Sequence, residues 1–183
     1  MNAYSIDTNE RKNILLILAM ISIAFSWSFY KIISSYQISL PCWVESSSVL
    51  FFYGLLFIIF DKWLWQYFGR IKVVKTPNLN GECIGNLKSS FDNHSEEVKA
   101  TLKIFQTWTR IKILLETNQS LSHSEAASFI IDTPEGKYLS YQYINEPKSN
   151  AVETMSIHRV TVRLFFNERK NTLEGDYYSG RDR

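Results

Sequence analysis

One uninterrupted apolar segment constrains the fold more than any other feature of this chain. From Ile14 to Tyr30 the sequence reads ILLILAMISIAFSWSFY without a charged residue, and the run continues to Ile33. About 20 helical residues extend roughly 30 Å, the thickness of a bilayer core. The sequence therefore predicts a transmembrane helix over residues 14–33. The alternatives are a signal peptide and a buried core helix; the first is disfavoured because no small-residue cleavage site followed by a soluble chain precedes the next apolar run.

A second apolar segment follows after a short polar stretch. It runs from Val44 to Phe60, is interrupted by Glu45 and three serines, and continues to Trp65. Several aromatic residues come directly after it, as is typical of a helix that leaves the membrane at the headgroup region. We predict a second transmembrane helix over residues 44–65.

The basic residues near the two predicted helices lie on one side of the pair. They are Arg11, Lys12, Lys62, Arg70, Lys72 and Lys75, whereas the intervening loop has only Lys31 at the helix end. This asymmetry predicts that both termini are cytosolic. No charged residue or histidine lies in the middle of either segment, which disfavours a transporter, a proton pump or a voltage sensor.

Small residues recur at helical spacing in the two segments. They are Ser22, Ala24, Ser26 and Ser28 in the first and Gly54 in the second. Small side chains permit close helix approach in lipid. The approach could occur within one hairpin or between protomers.

The composition changes beyond Lys75, so we divide the chain into a membrane region, residues 1–75, and a cytosolic domain, residues 76–183. The domain carries thirteen Lys and Arg against fourteen Asp and Glu. It has no basic stripe, which argues against long nucleic acid as a partner. Cys42 and Cys83 are the only cysteines and fall on opposite sides of the membrane or at its boundary, so no intramolecular disulfide or zinc framework is expected.

The cytosolic domain has the alternating pattern of β-strands. Apolar residues occupy every second position from Val98 to Ile104. Further strands are predicted over residues 81–90, 111–115, 121–131, 138–144, 157–166 and 172–178, separated by turn-like sequences such as TPEGK. The predicted fold class is two transmembrane α-helices followed by a small antiparallel β-barrel of about eight strands, or a sandwich.

The alternation changes phase between Ile104 and Ile111, an odd number of residues apart. A bulge or corner at residues 106–109 would account for this change. Bulges often re-aim side chains near sites, so Thr107 and Trp108 are candidate ligand residues; the alternative is a barrel corner with no ligand role.

Two strands carry polar or aromatic residues at alternating positions. Ser120, Ser122 and Ser124 share one face of a strand, and Tyr141, Tyr143 and Asn145 share a face of another. Hydroxyl groups can bind phosphate oxygens, and tyrosine rings can stack on bases. The alternatives are a solvated edge strand and ordinary packing. His158 is in phase with an apolar face and is interpreted as a core residue.

Catalytic and metal motifs are missing from the sequence. The three histidines show no metal-ligand spacing, the serines lie in no nucleophile elbow, and there is no phosphate loop or dinucleotide fingerprint. We therefore predict a binding protein with no catalytic residues, no metal and no cofactor.

Five ordered motifs resemble a known family. They are TPNLNGECIG at 76–85, QTWTRIKILLET at 106–117, SLSHSEAA at 120–127, YQYINEP at 141–147 and LEGDYYSGRDR at 173–183. Together they resemble the membrane-anchored cyclic-dinucleotide receptors of bacterial CBASS antiphage defence. The resemblance implies a β-barrel that binds a cyclic dinucleotide made by a cognate nucleotidyltransferase, then forms homo-oligomers whose helices disrupt the inner membrane and kill the infected cell.

This resemblance also implies a ligand pocket. Its expected residues are Thr107, Trp108, Ser120, Ser122, Ser124, Tyr141, Tyr143, Asn145, Arg181 and Arg183. The aromatic rings would stack on the bases, while the serines and the two arginines would contact the phosphates.

The chain departs from the family pattern in two ways. Cys83 stands where an aromatic residue is expected, and one further strand is expected after the GRDR sequence that ends at Arg183. Two other functions remain open: a membrane-tethered barrel that binds a lipid or scaffolds a partner protein, and an enzyme acting at the membrane surface.

Overall fold

The structure is a computed structural model that describes residues 1–36, 42–88, 97–148 and 158–179, with the backbone alone for residues 42–47. The chain forms two compact units. One contains residues 1–7 together with residues 76–183, and the other contains residues 8–75. Arg181 and Arg183, and any strand after them, lie outside the described residues.

The helical unit contains two long apolar helices. Helix α1 covers Glu10–Ser35; helix α2 covers Cys42–Ile59 and continues through a π-helical turn, Phe60–Leu64, into α3, Trp65–Arg70. Both apolar stretches are long enough to cross a membrane, and few of their side chains are buried. The prediction of two apolar N-terminal helices is confirmed.

Helices α1 and α2 pack against each other through aromatic and small residues. Phe25 lies 6.1 Å from Phe52 between ring centroids, and the hydroxyls of Ser26 and Ser48 are hydrogen bonded. Ser22 is also buried and donates to the Ala19 carbonyl. A Cβ atom added at Gly54 would meet nothing within 4 Å, so this glycine is not at a close helix contact.

The second unit is an antiparallel sheet in which each long strand pairs with the next. Its strands are β3 (Gly81–Lys88), β4 (Glu97–Gln106), β5 (Arg110–Thr117), β6 (Ser120–Ile130), β7 (Lys137–Pro147), β8 (His158–Asn167) and β9 (Thr172–Ser179). Two short N-terminal strands, β1 (Asn2–Ala3) and β2 (Ser5–Ile6), join it at β5 and β6. The sheet curls into a half-barrel, which confirms the predicted fold class.

The interior of the half-barrel is built by the alternating residues that the sequence pattern identified. Buried side chains on β4, β5, β7 and β8 include Leu102, Ile104, Ile111, Ile113, Leu139, Val160 and Val162. The two outermost long strands approach each other at one end, where the Tyr177 hydroxyl on β9 donates to the Lys88 carbonyl on β3 over 3.1 Å.

The phase change near residue 107 is a turn between two strands. Strand β4 ends at Gln106 and β5 begins at Arg110, and the Thr107 amide donates to the Arg110 carbonyl over 2.8 Å. Of the two predicted alternatives, a bulge or a corner, the bulge is wrong, because the chain reverses direction here and the alternation restarts on a new strand. The bulge of this sheet lies instead in β6, between Ser124 and Ala126.

Strand β9 approaches the backbone of β8 closely at Gly175. The residue is paired with Leu164, and a Cβ atom added there would overlap the carbonyl oxygen of Arg163 and lie 2.9 Å from the Leu164 Cα. Only glycine fits at this position without moving one strand.

Candidate functional site

Three serines of β6 point into the half-barrel. Ser120, Ser122 and Ser124 alternate along the strand, and all three are buried. Alternation places side chains on one face of a strand, and the register puts Ser122 opposite Asn145 and Ser124 opposite Tyr143 on β7. The two polar groups identified in the sequence therefore share one interior face. The alternative of a solvated edge strand is wrong for the serines, because β6 lies between β5 and β7.

Hydrogen bonds hold these hydroxyls in place. Ser122 Oγ donates to Asn145 Oδ1 over 2.7 Å, and the hydroxyls of Ser120 and Thr117 are 3.0 Å apart. Ser124 Oγ accepts the Ile113 amide over 2.9 Å, across the point where β5 and β6 separate. A serine that accepts one hydrogen bond still carries its own O–H donor, so Ser124 can also donate to a ligand oxygen.

The interior tyrosines lie next to the serines. The rings of Tyr141 and Tyr143 have centroids 5.9 Å apart and are tilted by 33°. Burial, with a smaller effect of neighbouring Tyr177, raises the pKa of Tyr143 to about 12, and burial also raises the pKa of Tyr141. Both phenols are therefore neutral at physiological pH and can donate a hydrogen bond to an anion without charge repulsion.

Two expected residues are not brought to this group. Thr107 and Trp108 lie in the β4–β5 turn, at the opposite end of β5 from Leu115, which pairs with Ser122. Trp108 has no exposed surface and its carbonyl accepts the Tyr4 hydroxyl over 2.6 Å. A fully buried ring cannot stack on a base unless the surrounding strands move.

Three residues that the sequence analysis did not assign to the pocket belong to this interior region. The Thr117 hydroxyl is hydrogen bonded to the Ser120 hydroxyl, and Tyr177 lies near Tyr143. His158 is paired with Asn145 and lies on the same face of β8 as Val160. Strand alternation alone could have indicated Tyr177 and His158, since each is in phase with interior residues of its strand. Together with the serines, the tyrosines and Asn145, these residues form what we call the serine–tyrosine site: Thr117, Ser120, Ser122, Ser124, Tyr141, Tyr143, Asn145, His158 and Tyr177.

A separate open groove lies near the ends of β6 and β8. Its volume is about 370 Å³ and its lining includes Lys137, Phe165 and Arg169. The Lys137 ammonium is 2.7 Å from the Glu168 carboxylate, which offsets its charge. Within the described ranges, no group of three or more His, Cys, Asp or Glu side chains could hold a metal ion.

Comparisons with known proteins match both parts of the chain. Residues 74–183 match the family model described as Cap15, cyclic dinucleotide receptor domain, and residues 12–66 match the model described as Cap15, TM helices. The receptor-domain match alone covers more than half of the chain.

Two curated proteins, both named CD-NTase-associated protein 15, are similar to this chain. The protein from Yersinia aleksiciae is 37% identical over 132 residues, which cover 70% of this chain and 61% of that protein. The protein from Staphylococcus schleiferi is 30% identical over 118 residues, covering 64% of this chain and 62% of that protein. The chain thus spans about three fifths of the length of these relatives. No solved structure matches it significantly.

Proposed function

The chain belongs to the Cap15 family of CBASS-associated proteins, and on that premise we propose that it is a membrane effector which binds a cyclic dinucleotide inside its half-barrel. The observation that carries the proposal is the serine–tyrosine site, a set of hydroxyls buried inside a domain that matches a cyclic dinucleotide receptor. The nucleotide would come from a cognate nucleotidyltransferase, and the bound chains would assemble and disrupt the inner membrane.

The chemistry of the site supports a ligand with phosphates and flat bases. Serine, threonine and tyrosine hydroxyls supply neutral donors to phosphate oxygens, and two tyrosine rings supply apolar surfaces for bases. The described site contains no lysine or arginine; Arg181 and Arg183, two and four residues after the last residue of β9, are proposed to add the positive charge. We propose receptor function without catalysis.

Ligand binding should weaken when the hydroxyl that orients Asn145 is removed, because Ser122 Oγ donates to Asn145 Oδ1 and holds that amide inside the site. For Ser122→Ala in the full chain in detergent, we expect about tenfold weaker binding of the best ligand among cyclic di-AMP, cyclic di-GMP and cyclic GMP–AMP, measured by calorimetric titration. Ser140→Ala, on the opposite face of β7, is the matched control and should bind as the wild type does.

Failure of the wild-type chain to bind any of the three nucleotides, while its sheet remains folded, would contradict the proposed ligand. The alternative of a tethered barrel that binds a lipid would then be favoured, because the same interior also offers a buried apolar surface. Equal binding by Ser122→Ala and the wild type would instead remove Ser122 from the site.

Both termini are proposed to lie in the cytosol. Residues on both sides of the helical unit belong to one sheet, since β2 pairs with β6 and β3 pairs with β4. This supports an even number of membrane crossings, because both flanks of the crossing segment then lie on the same side. The basic residues around Arg11 and Arg70 support the cytosolic side.

Reporter insertions test this topology. Alkaline phosphatase inserted between Ser35 and Pro41 should be active outside the cytosol, and the same enzyme fused after Arg183 should be inactive. A fluorescent protein that folds only in the cytosol serves as the reciprocal control at both positions. An active phosphatase at the C-terminus would contradict the proposed topology and separate the domain from a cytosolic nucleotide.

A further inference from the structure

The first residues of the chain fill a gap in the sheet. Strands β5 and β6 pair with each other from Leu114 to Glu116, and beyond Ser124 the bulge takes β6 away from β5. In the gap, β1 pairs antiparallel with β5 and β2 pairs parallel with β6. The sequence pattern assigns these residues to the membrane region, whereas in the structure they belong to the sheet. We call residues 2–7 the N-terminal clamp.

Side-chain contacts fix the clamp at both of its ends and in the middle. Asn2 donates to the Glu125 carbonyl over 2.7 Å, and the Asp7 carboxylate accepts the amides of Ile131 and Asp132 at 3.0 Å. Between them, Tyr4 is buried, and its ring meets the ring of Phe129 edge-on at 5.1 Å between centroids. The clamp is therefore an integral part of the sheet.

One serine belongs both to the candidate site and to the gap that the clamp fills. Ser124 points into the interior, and its Oγ accepts the Ile113 amide at the point where the β5–β6 ladder ends. The β-bulge of β6 follows directly, between Ser124 and Ala126, and beyond it β6 pairs with the clamp instead of β5. A ligand that binds Ser124 therefore acts on the junction that sets the spacing of the two strands on either side of the clamp.

The clamp is also joined to the first membrane helix by a very short connection. Asp7 is bonded to the sheet, Thr8 and Asn9 follow, and α1 begins at Glu10. A long flexible linker would let Asp7 move without moving the helix. A connection of two residues does not, so a movement of Asp7 also moves the start of α1.

From these contacts we infer that the N-terminal clamp transmits occupancy of the serine–tyrosine site to helix α1. This inference rests on the proposed function and adds the route by which binding changes the helices. A ligand can shift the helices only if it binds two arrangements of the sheet with different affinity. The two arrangements differ in the spacing of β5 and β6 at their junction. The clamp transmits this difference in spacing to helix α1.

A flexible insertion tests the clamp without removing any of its contacts. About eight Gly and Ser residues inserted between Asp7 and Thr8 add a coil with a reach of roughly 15 Å. The full chain is reconstituted in dye-loaded vesicles of bacterial lipid and exposed to cyclic di-AMP, cyclic di-GMP and cyclic GMP–AMP. We expect nucleotide affinity to stay within about twofold of the wild type and dye leakage to fall at least about tenfold. The same insertion between Arg169 and Lys170, in the β8–β9 turn, should retain full leakage.

A second variant tests whether the clamp acts while attached. Ala3 and Arg110 are paired across β1 and β5, and a disulfide between Ala3→Cys and Arg110→Cys would hold the clamp in place. The oxidised variant should leak as much as its reduced form.

The other possible results of the insertion and disulfide experiments lead to different conclusions. Wild-type leakage by the Asp7–Thr8 insertion variant would overturn the clamp as the link, and loss of nucleotide binding in that variant would show that the clamp only supports the receptor fold. Leakage that requires reduction of the disulfide would show that the clamp must detach, which also overturns the inference. A wild-type chain that binds no nucleotide refutes the proposed function itself, and the clamp's role in signalling falls with it.

Discussion

Replacing Gly175 with alanine should destabilise the sheet unit by about 3 kcal/mol, the upper end of the usual cost of overpacking, because the added methyl group has no space. It would overlap the Arg163 carbonyl oxygen and lie 2.9 Å from the Leu164 Cα, and both are backbone atoms. A side chain can rotate away from a new methyl group, but a paired strand must separate from its neighbour. We expect β9 to be displaced from β8, which also moves Tyr177 in the serine–tyrosine site.

The matched control is Gly85→Ala on β3. A Cβ atom at Gly85 meets nothing within 4 Å, so this substitution should change stability by less than about 1 kcal/mol. Pulse proteolysis of the full chain across a urea gradient in detergent measures both variants. Equal urea midpoints for the two variants would show that β9 does not approach β8 as closely as described.

The second large effect should come from Tyr4→Ala. Tyr4 is 3% exposed, packs against Phe129 and donates to the Trp108 carbonyl. Truncation of a buried aromatic side chain costs about 3–5 kcal/mol, a large part of the roughly 5–15 kcal/mol that stabilises a typical domain. We expect a lower urea midpoint in the same pulse-proteolysis measurement.

Tyr178→Ala provides the control for Tyr4→Ala, since it removes the same side chain from an outward-facing position of β9 that is 68% exposed. Its effect should stay within about 0.5 kcal/mol.

The contacts of the clamp also predict the effect of removing it. A chain beginning at Thr76 lacks part of its sheet, and adding residues 1–7 back as a peptide should raise its stability. Full stability of Tyr4→Ala would contradict the integral role of the clamp.

The long strands could be predicted from the sequence because each has one buried face. In β4, buried Ala100, Leu102 and Ile104 alternate with exposed or half-buried residues, and the predicted strand differs from the observed bounds by one or two residues. The helices were predictable because about 20 successive apolar residues have few other stable locations.

The N-terminal clamp could not be predicted from local sequence. Strands β1 and β2 have two residues each, too few to show an alternating pattern, and their pairing partners are more than a hundred residues away. The β6 bulge was equally hidden, because the residues around Ser124 include no glycine or proline to indicate irregular backbone.

Strand periodicity assigns a residue to a face, and this was enough to place the serines on one face of their strand and Tyr143 and Asn145 on one face of theirs. It does not assign a residue to one end of the barrel, which is why Trp108 was grouped with residues at the far end of β5. The face on which a side chain lies does not determine its position along the barrel axis. That position depends on the register between neighbouring strands.

The clamp also has a consequence for the order in which the protein is made. Asp7 leaves the ribosome 124 residues before its partner Ile131, and at about 5–20 residues per second this interval lasts roughly 6–25 s. During that time the helical hairpin can enter the membrane while the first strands have no sheet to join. In the proposed topology the hairpin returns the chain to the side on which it started, so β6 is synthesised on the same side as the clamp. The clamp is therefore synthesised well before the strands that it joins, and the proposed insertion of the hairpin keeps it on the same side as those strands.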